Sequence, residues 1–146
     1  MKKELVEKIN KYLANLCVEY IKLHNLHWNV VGSNFKAIHE YLESLYDGIS
    51  SSFDKVAELL KMKDETPIAC IKDYLSLKTI EEITSKDYNT LEVFNIVLDD
   101  FNILKEQACN IRESAENECH YNIISAFEDE LEYLNKAIWF IKSSLK

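Results

Sequence analysis

One stretch of this sequence carries His39, Glu43, Asp54 and Glu58, four side chains of metal-ligating type. His39 and Glu43 are i,i+4 neighbours, as are Asp54 and Glu58, and on a helix that spacing places each pair on one face. Imidazole combined with carboxylates suits iron, manganese or zinc. At 100° per residue Glu43 and Asp54 differ by only about 20° around the axis, yet the rise separates the two pairs by roughly 16 Å. No single ion reaches both.

The numbering offers a way to close the site. Positions 39 with 58 and 43 with 54 are both centred between Gly48 and Ile49. A two-fold axis there would lay the helix antiparallel on its copy, with His39 opposite the partner's Glu58 and Glu43 opposite the partner's Asp54. Gly48, Ser50, Ser51 and Ser52 cluster at the same centre and are expected to let the two backbones approach. A mid-helix glycine costs about 0.5–1 kcal/mol, so a compensating contact is expected. A fifth ligand type, His27, lies as far before the turn near position 33 as His39 lies after it, which predicts equal depth on neighbouring helices. A core histidine is ordinarily a hydrogen-bonded packing residue, and i,i+4 carboxylates are ordinarily solvated. Spacing alone leaves that reading open beside an inter-subunit metal site.

Long helices must position these residues. The series Leu5, Ile9, Tyr12, Leu16, Tyr20, Leu23, His27 steps by three and four and predicts a helix from about 4 to 30. Gly32-Ser33-Asn34 ends it. A second helix runs through Phe35, Ile38, Leu42, Leu45, Ile49, Phe53, Val56 and Leu60 to about Lys63, forming an antiparallel hairpin with the first. Thr66-Pro67 predicts the opening of a short helix through Ile68, Ile71, Tyr74 and Leu75, inside a connection long enough to be a crossover. A third long helix begins near Asp87 and carries Leu91, Phe94, Leu98, Phe101, Leu104, Ala108 and Ile111. The fourth carries Ile124, Phe127, Leu131, Leu134, Ile138, Ile141 and Leu145, with no clear cap near Glu118 to Tyr121. His24 reads as a polar-edge residue, and His120 has no recognisable partner.

Composition agrees. With only 2 glycines and 1 proline, the chain lacks the turn residues that sandwiches, barrels and doubly wound sheets consume. The expected fold class is all-α: a ferritin-like four-helix bundle with a short extra helix in the long crossover between the second and third long helices, one domain over residues 1–146. Its histidines lack the Glu-x-x-His spacing of an intra-chain di-iron bundle. No run of about 18 apolar residues is present, so no membrane span is expected. The N-terminal ten residues carry no signal-peptide core, and Cys17, Cys70, Cys109 and Cys119 form no CxxC pair. Reduced thiols in a cytoplasmic protein are expected. The net charge of −8 reads as solubility and argues against binding a phosphate backbone.

The segments His24-Asn25-Leu26-His27-Trp28-Asn29-Val30, Asn34-Phe35, His39-Glu40, Tyr46 and Asp54-Lys55-Val56-Ala57-Glu58 together resemble the signature of the Dps proteins, the mini-ferritins. The match is specific over about residues 23–62, and helix order extends it along the chain. The resemblance implies a hollow shell of twelve subunits with a ferroxidase centre at each two-fold interface. It implies that His27, His39 and Glu43 come from one subunit, that the partner's Asp54 and the partner's Glu58 complete the centre, and that Trp28 lies beside it. It further implies iron as the metal, oxidation of Fe(II) by hydrogen peroxide or O2, and storage of ferric mineral as protection against oxidative stress. Two departures stand out: Glu43 replaces the family's usual aspartate, and Ser125 stands where a pore aspartate is common, with Glu128 and Asp129 nearby. DNA binding is not expected, because only Lys2 and Lys3 precede the first helix. The rival readings are a DNA-binding architectural shell with incidental metal binding and a metal-free helical interaction module.

Overall fold

A computed structural model describes residues 1–146. Four long helices dominate it: α1 (Lys3–Asn29), α2 (Phe35–Lys61), α4 (Thr90–Asn117) and α5 (Tyr121–Leu145), with the short α3 (Ile71–Leu77) in the crossover. The pairs α1/α2 and α4/α5 are helical hairpins that face each other chiefly through α1 and α4. The apolar stripes meet between them, burying Leu5, Ile9, Tyr12, Leu16 and Leu23 of α1 against Leu42, Ile49 and Leu60 of α2 and Phe101, Phe127 and Leu134 of the second hairpin. No helix is long and apolar enough to cross a membrane.

The crossover has a geometric cause. Two-residue strands, β1 (Val30–Val31) and β2 (Tyr88–Asn89), pair in parallel and fasten the end of α1 to the start of α4. Helix α2 also starts at that end, and its 27 residues carry the chain about 40 Å away before it must return. The buried Asn15 pins the returning segment: its Oδ1 accepts from the Thr79 and Ile80 amides at 2.8 and 2.9 Å, and its Nδ2 donates to Thr79 and Gln107.

Several expectations are corrected here. Thr66-Pro67 does not open α3, which starts at Ile71 after an extended Cys70. The amide of Ile68 is held instead by Asn10 Oδ1 at 3.0 Å, so this stretch is tied to α1 rather than wound into a turn. Helix α4 starts three residues later than Asp87, because Asn89 and Glu92 form a capping box with bonds of 2.9 and 2.8 Å. Leu91 is 61% exposed, and Val93 and Val97 supply the buried stripe. His120 does have a partner, Glu118, at 3.2 Å.

Gly48 is the most consequential correction. A Cβ there would lie 2.5 Å from the hydroxyl of Tyr133 on α5 of the same chain. Tyr133 crosses α2 at this point and donates to the Leu45 carbonyl at 3.1 Å. Ser52 is buried too, donating to Glu130 at 2.8 Å. At 100° per residue Gly48 lies about 140° from Glu43, so it faces the bundle interior and not the ligand face. Of the four small residues at the centre of symmetry, only Ser50 and Ser51 are exposed.

Candidate metal centre

The turn that begins at Gly32, whose φ of +129° suits glycine, brings the end of α1 against the start of α2. His27 and His39 meet across it. Their rings stack with centroids 3.6 Å apart and planes 13° from parallel. Each Nδ1 lies 2.7 Å from the other residue's main-chain carbonyl. A carbonyl can only accept, so each Nδ1 carries a proton, and in the neutral form of either ring the free lone pair is then on Nε2. No hydrogen bond within the chain uses either Nε2. Outer hydrogen bonds of this kind fix the tautomer and ring plane of metal-ligating histidines. His27 continues the buried stripe at 7% exposure, and His39 is half-buried.

An aromatic cluster supports the pair. Phe35 stacks on His39 with centroids 5.0 Å apart. Tyr46 presents its ring perpendicular to His27 at 5.2 Å and lies flat on His24 at 3.8 Å. His24 is thus half-buried in the cluster, its Nδ1 2.7 Å from the Tyr20 carbonyl, and not merely a polar-edge residue. Trp28, 68% exposed, packs beside His24 at 5.4 Å. Glu43 is exposed and accepts a hydrogen bond from Tyr46 at 3.2 Å.

Asp54 and Glu58 lie farther along α2, both exposed. The neighbouring Lys55 pairs with Asp129 on α5 and leaves Asp54 free of it. Within one chain His27 and His39 come together, Glu43 lies one turn along α2, and Asp54 and Glu58 remain apart from them. No three His, Cys, Asp or Glu side chains of the single chain converge on one point. Near the start of α5, Ser125 is exposed, while Glu128 binds Arg112 at 3.1 Å and Asp129 binds Lys55 at 3.0 Å.

The bundle core holds ionisable groups that the sequence reading passed over. Glu130 accepts from Tyr12 and Ser52, each at 2.8 Å, and burial raises its pKa against those two bonds. Glu19 is fully buried with neither carboxylate oxygen hydrogen-bonded. Burial, then the nearby Asp100 charge, push its pKa well above the usual carboxylate range. Lys22 lies 2.7 Å from Asp100 and donates to the Glu81 carbonyl at 2.6 Å. Burial raises the Asp100 carboxyl as well, with Lys22 opposing it. A signal was present: Glu19, Asp100 and Glu130 each sit at three-four spacing between apolar residues, as in Leu16-Glu19-Leu23 and Phe127-Glu130-Leu134.

Comparison with known proteins agrees with this architecture. The ferritin-like domain family matches residues 6–146. The DNA protection during starvation protein of Helicobacter pylori is 29% identical over 94% of this chain and 96% of its own. Among solved structures, a Dps protein from Bacillus brevis superposes with a TM-score of 0.93 at 31% identity, covering 100% of both chains. A Vibrio cholerae Dps protein, described as a member of a broad superfamily of ferritin-like diiron-carboxylate proteins, gives 0.94 at 26% identity over 99% of this chain and 90% of its own. The helix order, the crossover helix and these likenesses over nearly the whole length establish that the chain belongs to the Dps family of ferritin-like proteins.

Proposed function

We propose that this chain is an iron-storing, iron-detoxifying subunit that oxidises Fe(II) at centres shared between two copies. The reading rests chiefly on the reciprocal lock of His27 and His39, which engages both Nδ1 atoms and leaves both Nε2 atoms unengaged within the chain. Together with Glu43 they form one half of the centre. Asp54 and Glu58 of the partner subunit form the other half, across a two-fold axis near Gly48 and Ile49. The closed assembly is a shell, most simply of twelve chains, in the cytoplasm.

Each part of the centre has a task. Neutral imidazoles bind Fe(II) without adding charge, whereas the carboxylates supply hard anionic oxygens that favour the more highly charged product. Two Fe(II) ions give one electron each to hydrogen peroxide, which takes up two protons and leaves as two waters. Paired electron delivery releases no hydroxyl radical. O2 is the alternative oxidant. Ferric ion then mineralises inside the shell, away from other cell components. An architectural DNA-binding role finds no support in a net charge of −8 per subunit.

Anaerobic Fe(II) titration with mass measurement of the assembly tests the proposal. Saturable Fe(II) binding by a large closed oligomer, followed by rapid oxidation on adding peroxide, is the expected result. A 17.1 kDa monomer that takes up no Fe(II) would overturn it.

A further inference from the structure

We infer that Tyr46 is a positioning residue that sets where the Glu43 carboxylate points, an inference that rests on the function proposed above. Glu43 is an exposed glutamate whose carboxylate has one hydrogen bond in the chain, from the Tyr46 hydroxyl at 3.2 Å to Oε1. A free glutamate samples many rotamers, so a single fixed donor decides its mean direction. Tyr46 is itself fixed. Its ring lies flat on His24 at 3.8 Å and perpendicular to His27 at 5.2 Å and to Tyr20 at 6.1 Å. His24 is anchored in turn by its Nδ1 at 2.7 Å from the Tyr20 carbonyl. One phenol therefore touches both halves of this subunit's ligand set, with its ring perpendicular to that of His27 and its hydroxyl on Glu43. The bond to Oε1 leaves Oε2 unclaimed for the metal. The tether also gives the longer side chain at position 43 a defined direction that a shorter one would not need.

The Tyr46→Phe variant tests this, because it keeps the ring contacts and deletes only the donor. The assembled protein is titrated with Fe(II) anaerobically and then assayed for oxidation by peroxide. Kd and KM for Fe(II) should rise about tenfold, the low end for loss of an outer hydrogen-bond partner, while kcat falls by a smaller factor. The same change on the Glu43→Asp background should add nothing, since a carboxylate about 1.5 Å shorter is out of the phenol's reach. An unchanged Kd in Tyr46→Phe, or the same tenfold loss on the Glu43→Asp background, would overturn the inference. If the unaltered protein binds no Fe(II), the function proposed above fails and takes this inference with it. If the unaltered protein binds Fe(II) and Tyr46→Phe binds equally well, the positioning role alone falls.

Discussion

His27 and His39 each donate Nδ1–H to the main-chain carbonyl of the other, at 2.7 Å in both directions. The His27 carbonyl is among the last of α1, which have no helical amide to accept from. The pair is thus a structural clasp of the first hairpin as well as the proposed ligand pair. His39→Ala should cost about 1 kcal/mol of stability even in chelator, where no metal contributes. Urea unfolding of the metal-free protein at fixed subunit concentration checks this. A variant as stable as the parent would show that the clasp contributes nothing to the fold.

Gly48 provides a test of which surface faces a second copy. Its missing Cβ is filled by Tyr133 of the same chain. Gly48→Ala should therefore destabilise the subunit by about 1–3 kcal/mol through overpacking. The mass of whatever assembly survives should be unchanged, because position 48 points inward. A smaller assembly with undiminished subunit stability would return Gly48 to the interface.

Much of this molecule was legible in its sequence, for specific reasons. Three-four spacing located all four long helices, since a stripe of that period buries against one core whatever the partner helix. Equal distances of His27 and His39 from the turn predicted their meeting, because a short hairpin fixes depth by counting residues. The start of α3 escaped because Asn10, far away in sequence, holds Ile68 extended. Gly48 was assigned to the wrong face because a glycine's neighbour is decided by tertiary packing, here Tyr133. Glu19, Asp100 and Glu130 were passed over although they sit at core spacing, because the adjacent Tyr20, Phe101 and Leu131 fit the apolar stripe equally well. Position along α2 marked Asp54 and Glu58 as a candidate half-site, and the single chain leaves them without a third ligating side chain.

The buried Glu19 yields a pH prediction. Its folded-state pKa is raised, chiefly by burial, above its unfolded value. Its contribution to stability is therefore full below the unfolded pKa and is lost as pH rises through the folded one. Glu19→Gln keeps the shape and cannot ionise. Relative to the parent, the variant should gain stability as pH is raised from 4 to 8. Glu130, also raised by burial, keeps titrating in both proteins and cancels in the difference, whereas Asp100 interacts directly with Glu19, so the difference reports the titration of the Glu19–Asp100 pair. Urea midpoints at a series of pH values measure that difference, and a pH-independent difference would show that Glu19 folds as a carboxylate.

Charge decides the expectation for DNA. Each subunit carries −8, so assembly multiplies a repulsive field towards a polyanion. No retardation of duplex DNA is expected in a gel shift at about 0.15 M salt and neutral pH. Retarded DNA there would favour the architectural reading.

Subunit mixing separates a shared centre from two unrelated acidic pairs. One variant changes His27 and His39 to Ala; the other changes Asp54 and Glu58 to Ala. Neither homo-oligomer retains a complete centre, so each should oxidise Fe(II) slowly. In the proposed geometry the histidines of a centre come from one chain and its Asp54 and Glu58 from the partner subunit. A mixed pair then has one centre damaged on both sides and one built entirely from unaltered residues. Co-assembly should restore the initial rate of Fe(II) oxidation by peroxide, approaching half of normal where every pair is mixed. A centre confined to one chain would be damaged in every subunit, and mixing would restore nothing. Co-expression with two different affinity tags selects the mixed assemblies and confirms that they formed. Confirmed mixed assemblies without recovered activity would eliminate the shared centre, even where iron binding itself survives.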